Sequence, residues 1–93
     1  MPALESGLTI EGPSGTSEIR WGYHSAIALG AWSVAAGVLT ARVLELHPWR
    51  VTQPGLSFVV GRPGGTPWIW PVLAITIADD VVTATLGPKE RIH

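Results

Sequence analysis

Residues 33–43 read SVAAGVLTARV, and residues 76–86 read TIADDVVTATL. Each stretch contains an apolar run, then two residues that favour turns, then Val, Leu or Val, Thr and Ala in that order. An apolar alternation interrupted by a two-residue turn is typical of a β-hairpin. We therefore interpret the two stretches as one structural unit used twice, with hairpin loops predicted at Ala36-Gly37 and Asp79-Asp80.

A two-residue loop determines which residues face each other across a hairpin. Counting outward from the loops places Val34 opposite Leu39 in the first hairpin and Leu73 opposite Leu86 in the second. In both hairpins one face of the strand pair is then apolar, as expected of strands that cover a core. The predicted core residues are Trp32, Val34, Leu39, Ala41, Val43, Leu73, Ile75, Ile77, Val82, Ala84 and Leu86.

Alternation and turn-forming residues also place the longer strands. They are predicted at residues 25–35, 38–46, 56–60 and 68–78. An unbroken register pairs Gly30 with Val43, but the apolar alternation changes face at Leu44, which predicts a β-bulge near Val43-Leu44. Pro71 predicts a bulge or an edge position, because proline cannot donate a ladder hydrogen bond.

These elements predict an all-β fold, a small barrel or sandwich of about six antiparallel strands. We assign residues 18–88 to a single β domain. Residues 1–17 are rich in glycine and proline and are predicted to be a flexible or extended N-terminal arm. Residues 89–93 are predicted to be a short C-terminal tail.

A membrane-spanning helix is the alternative for the segment from Trp21 to Ala41. This segment has no charged residue if His24 is neutral, and its 21 residues match the length of a span. Ser33 and Gly37 also give the small-residue spacing of packed membrane helices. The segment is only weakly apolar, however, and the hairpin pattern accounts for more of its residues. We therefore favour strands.

The composition of the 93 residues limits the classes of partner. The net charge is −1, charged residues make up 14% and apolar residues 46%, and cysteine is absent. A chain without a basic field is not expected to bind nucleic acid. Low charge on a small domain favours a protein partner or a homo-oligomer that covers apolar surface. No basic side chain precedes Arg20, so we expect cytoplasmic synthesis without a signal peptide.

Tryptophan is the most conspicuous residue type, with five in the chain. Trp68 and Trp70 are two residues apart on one strand, so both point to the same side, and with Trp49 they could form a flat aromatic platform. Arg62 lies in a glycine-rich loop and could dock on a partner. We therefore predict an interaction surface of Trp49, Arg62, Trp68 and Trp70. The alternatives are that these rings fill the end of the barrel, or stack on sugars or bases.

The titratable residues do not assemble into a recognisable catalytic or metal site. His24 and His47 lack the close spacing of zinc ligands, with Glu45 as a further candidate ligand. Asp79-Asp80 at a hairpin tip is typical of a solvated turn. We predict no catalytic residues, no metal and no cofactor. An enzyme, with a site assembled across subunits from His24, His47 and Asp79, is the least favoured reading.

The leading functional hypothesis is a non-enzymatic protein–protein interaction module. It would act as a structural subunit of an oligomer or larger assembly, such as a virion or phage-like particle, or as a small inhibitory binder. The alternative is a β-fold module that binds carbohydrate or single-stranded nucleic acid on a tryptophan platform. A single-span membrane protein is less favoured.

Overall fold

Seven strands and one short helix form the part of the chain that the computed structural model describes, residues 10–12, 17–61 and 64–89. The elements are β1 (Ile10–Gly12), β2 (Ser17–Trp21), β3 (His24–Ala35), β4 (Val38–Leu46), α1 (Pro48–Val51), β5 (Leu56–Val60), β6 (Trp68–Ala78) and β7 (Val81–Leu86). Most of the predicted N-terminal arm, Arg62 and the end of the predicted C-terminal tail lie outside the described residues.

Six of these strands close into an antiparallel barrel in the order β3-β2-β5-β6-β7-β4, with β4 pairing back onto β3. β1 adds to the far half of β3, where Gly12 lies opposite Trp32. The prediction of a small all-β barrel is confirmed. Residues 21–41 form strands and turns, so the helical alternative for this segment is wrong. In the described ranges no helix is long and apolar enough to cross a membrane.

Both hairpins turn at the predicted loops. Val34 lies opposite Leu39 as predicted, and the flanking pair Ala35 and Val38 closes the first loop. Ala36 and Gly37 both have positive φ, at 52° and 76°, the backbone that lets a two-residue loop follow the twist of its strands. In the second loop Asp79 has a φ of 56°, which aspartate tolerates better than most residues.

A β-bulge interrupts the first hairpin where the apolar alternation changes face. Glu45 lies opposite Ala28 and Val43 opposite Leu29, so Leu44 is the extra residue. Val43 pairs with Leu29 and not with Gly30, because a separate register shift between Leu29 and Trp32 leaves one extra residue on β3. A Cβ atom on Gly30 would lie 3.1 Å from Leu44 Cδ2, so glycine leaves room for the bulged side chain.

A bulge on β6 overturns one core prediction. Val72 lies opposite Leu86, and the next pair is Ala74 with Thr85, which leaves Leu73 unpaired on β6. Leu73 is 67% exposed, so the prediction that it lies in the core is wrong. The bulge follows Pro71, whose carbonyl accepts a hydrogen bond from the Gly87 N–H at 2.8 Å. Strict alternation cannot continue through this point, and Val72 packs against the core instead.

The barrel encloses one apolar core. Of the predicted core residues, seven are buried: Trp32, Val34, Leu39, Ala41, Val82, Ala84 and Leu86. Val43, Ile75 and Ile77 are half-buried and pack against its margin. Phe58 is fully buried between Trp32 and Trp70, with ring centroids 5.2 Å from each. The indole N–H of Trp32 donates to Ser17 Oγ at 2.8 Å, which satisfies the polar atom of a buried ring.

Candidate interaction site

The three described residues of the predicted aromatic platform differ in how far they are buried. Trp70 lies opposite Phe58 and stacks on it inside the barrel, with only 8% of its surface exposed. Trp70 is therefore a core residue, and its assignment to an interaction surface is wrong. Trp68 is half-buried; it contacts Trp70 edge-to-face, and Lys89 Nζ lies 4.9 Å from its ring centroid. Trp49 is 57% exposed.

Trp49 lies on α1, a one-turn helix that the alternation of apolar residues does not predict. The strand β4 ends before Pro48, which occupies the first turn of α1, where a missing N–H costs no hydrogen bond. That proline, directly after a strand, is the signal that could have indicated a helical turn. Because α1 follows β4, it lies at the end of the barrel where β2 turns into β3.

Several aromatic side chains lie at this end of the barrel. Trp21 and His24 flank a tight turn that places Tyr23 at its tip, 97% exposed. The Trp21 ring lies 5.3 Å from Trp49 at an interplanar angle of 77°, and 6.1 Å from the His24 ring. The Arg50 guanidinium lies 5.3 Å from the Trp49 ring centroid, within the range of a cation–π contact. We call these residues the end patch: Trp21, Tyr23, His24, Trp49 and Arg50.

Hydrogen bonds hold α1 firmly against the barrel. The His47 N–H donates to the Ala26 carbonyl at 2.9 Å, and Arg50 Nη1 donates to the Ser25 carbonyl at 2.9 Å. On the other side of the turn, Thr52 Oγ1 and Gln53 Nε2 donate to the Trp49 carbonyl. Hydrogen bonds therefore fix the backbone on both sides of Trp49. A partner that contacts this ring would pay little conformational entropy to order that backbone.

The titratable side chains singled out from the sequence remain dispersed. His47 Nε2 lies 3.9 Å from Glu45 Oε2, whereas His24 belongs to the end patch and Asp79 to a hairpin tip. Within residues 10–12, 17–61 and 64–89, no group of three or more His, Cys, Asp or Glu side chains is placed to hold a metal ion. The chemistry that the end patch offers is aromatic contact and one guanidinium cation.

Comparison with known proteins finds no matching family model, no matching curated protein and no matching solved structure. Proposals about function therefore depend on the residues of this chain alone.

Proposed function

We propose that the chain is a non-enzymatic protein–protein interaction module, a structural subunit of an oligomer or of a larger assembly such as a virion or phage-like particle. The observation that carries the proposal is the exposure of Trp49 on a helix that hydrogen bonds fix to the barrel, at the same end as the exposed Tyr23. Exposed apolar surface on a small domain often marks an interaction site, because covering a large aromatic ring with a partner gives favourable binding free energy.

The composition of the end patch is that of a binding hot spot. Tryptophan, tyrosine and arginine are the residues that most often dominate protein interfaces. Trp49 contacts both Trp21 and Arg50, and Tyr23 lies in the turn that follows Trp21. A fully packed Trp side chain buries roughly 150–250 Å², and 57% of the Trp49 surface is left to cover, so its burial would contribute about 2–4 kcal/mol before the costs of association. The low charge of the chain is consistent with a protein partner, because interface centres are depleted of charged residues.

A ligand-binding module is the second candidate, favoured by the exposed ring of Trp49, on which a sugar or a base could stack. The geometry supports it less well. Arg50 lies over the Trp49 ring and Trp21 packs edge-to-face with it, so part of the ring is already in contact. Ligand sites for small molecules are usually concave, with convergent polar groups, whereas this patch is formed by protruding side chains.

Substitution of Trp49 tests the proposal. The tagged full chain and its Trp49→Ala variant would be used to capture proteins from the cells of origin. The molar ratio of each captured protein to the tagged chain would be measured. Val38→Ala is the matched control, because Val38 is also an exposed apolar residue but lies at the other end of β3 and β4. We expect a stoichiometric protein that is lost with Trp49→Ala and retained with Val38→Ala.

The ligand alternative is tested with the same variants by intrinsic fluorescence. Saturable changes on titration with glycans or oligonucleotides, abolished by Trp49→Ala, would replace the protein-interface proposal. Equal capture by both variants would also contradict it, since the end patch would then contribute nothing to binding.

A further inference from the structure

The second half of β6 has an open edge. β5 pairs with β6 only over Trp68–Pro71, and β7 covers the opposite edge of β6 from Val72 to Ala78. Among the described residues no strand pairs with the remaining edge beyond Pro71. The hairpin of β6 and β7 therefore extends past β5 with one edge unpaired.

The register shows which backbone groups this edge presents. Ala78 and Val81 flank a two-residue loop, so they form a hydrogen-bonded pair, and Thr76 and Thr83 form the next such pair. In an antiparallel ladder the intervening residues point their N–H and C=O groups the other way. Ile75 and Ile77 therefore direct two donors and two acceptors towards the open edge.

Beyond the bulge at Leu73, this edge lacks the features that keep natural edge strands apart. Residues 72–78 read VLAITIA, with no charged residue and no proline. Lysine, proline or an inward-pointing charge is the usual protection of an exposed edge. The outward side chains Ala74, Thr76 and Ala78 are small and exposed, so they would not obstruct another strand.

The sequence of the edge is the same in both directions. Residues 74–78 read AITIA, a palindrome centred on Thr76. A twofold interface requires a surface that is complementary to itself, and an antiparallel strand pair has such a twofold axis. Pairing two copies about Thr76 would place isoleucine opposite isoleucine and alanine opposite alanine, with no charged side chain among residues 74–78. This match favours a second copy of the chain as the partner.

We propose that two copies of this chain associate by antiparallel pairing of their β6 strands about a twofold axis at Thr76. The inference rests on the proposed assembly role and names its partner, although it uses a surface separate from the end patch. Ile75 of each copy would pair with Ile77 of the other, giving four backbone hydrogen bonds. Thr76 would face its own counterpart as a non-hydrogen-bonded pair.

The proposed register also accounts for Leu73 and for the hairpin tips. Leu73, exposed in one chain, would lie opposite Asp79 of the second copy and be covered by that copy's turn. The two Asp79 residues would be six positions apart along the pair, about 20 Å at the rise of a strand, so their charges would not repel strongly. The interface is small, and we expect a dissociation constant of about 0.1–1 mM.

Sedimentation of the full chain up to about 1 mM tests the pairing, with Thr76→Lys as the probe. Two lysines facing each other at the axis should raise the dimer dissociation constant by about tenfold. Thr40→Lys is the matched control, because Thr40 is also exposed on the outer face but lies on β4, two strands from β6. Circular dichroism would establish that both variants are folded.

Amide hydrogen exchange supplies a second readout that needs no variant. Between dilute solution and about 1 mM, exchange at Ile75 and Ile77 should slow by about two- to fivefold, while Thr76, already bonded to β7, should not change. Two results together would support the proposal. The dimer should be lost with Thr76→Lys but not with Thr40→Lys, and exchange should slow at Ile75 and Ile77 but not at Thr76. A monomer at 1 mM, or a dimer that Thr76→Lys leaves intact, would overturn it. A dimer lost only with Trp49→Ala would overturn the β6 pairing while supporting the end patch.

Discussion

The hydrogen bond between Trp32 and Ser17 allows a quantitative test of the core. Trp32 Nε1 donates to Ser17 Oγ at 2.8 Å, and the two residues are 3% and 6% exposed. Ser17→Ala removes the acceptor and leaves the indole N–H buried without a partner, which costs about 1–3 kcal/mol. For a domain of this size that lowers Tm by roughly 5–20 °C.

A double-mutant cycle separates this hydrogen bond from other effects of the substitution. In a Trp32→Phe background the buried N–H is gone, so adding Ser17→Ala should cost less than about 0.5 kcal/mol. Urea unfolding followed by far-ultraviolet circular dichroism gives the free energies without depending on tryptophan emission. Ser57→Ala, on half-buried Ser57 of β5, is the control and should stay within about 0.5 kcal/mol. An equal cost of Ser17→Ala in both backgrounds would refute the reasoning.

Four further substitutions test the fold by the same unfolding measurement. Gly87→Ala would place a Cβ atom 2.7 Å from Pro71 Cγ and should lower the free energy of unfolding by about 1–3 kcal/mol. Gly30→Ala would meet the movable end of the Leu44 side chain and should cost under about 1 kcal/mol. Equal costs would contradict the packing at the bulge after Pro71. Phe58→Ala should cost about 3–5 kcal/mol, and a cost below about 2 kcal/mol would show that the ring is not the centre of the core. Ala36→Asn should stabilise the chain by about 0.5–1 kcal/mol, because asparagine tolerates the positive φ at this position; a destabilised variant would refute the turn assignment.

The hairpins were predictable because their signals are local. Alternation and a two-residue loop set the pairing of Val34 with Leu39 within a few residues, and no distant contact is needed. The bulge near Leu44 was predictable for the same reason, since the apolar residues change face there. Closure of the barrel through β2 and β5 depends on contacts between distant segments, which a local pattern does not contain.

The errors arose where a local irregularity or a tertiary contact decides the outcome. The bulge after Pro71 turns Leu73 outward, and a proline indicates only that alternation can break, not which residue is displaced. Trp70 is buried because the register between β5 and β6 places it opposite Phe58. The end patch combines residues from β2, β3 and α1, so no single stretch of sequence could predict that Trp49 contacts Trp21.

The claim that this barrel is a unit of assembly is tested most directly by its mass in solution. For a dissociation constant of about 0.1–1 mM, the weight-average mass at about 1 mM should rise to about 1.5–1.8 times that of one chain. The chain mass is 9.9 kDa. A mass that stays at 9.9 kDa up to this concentration would contradict self-assembly.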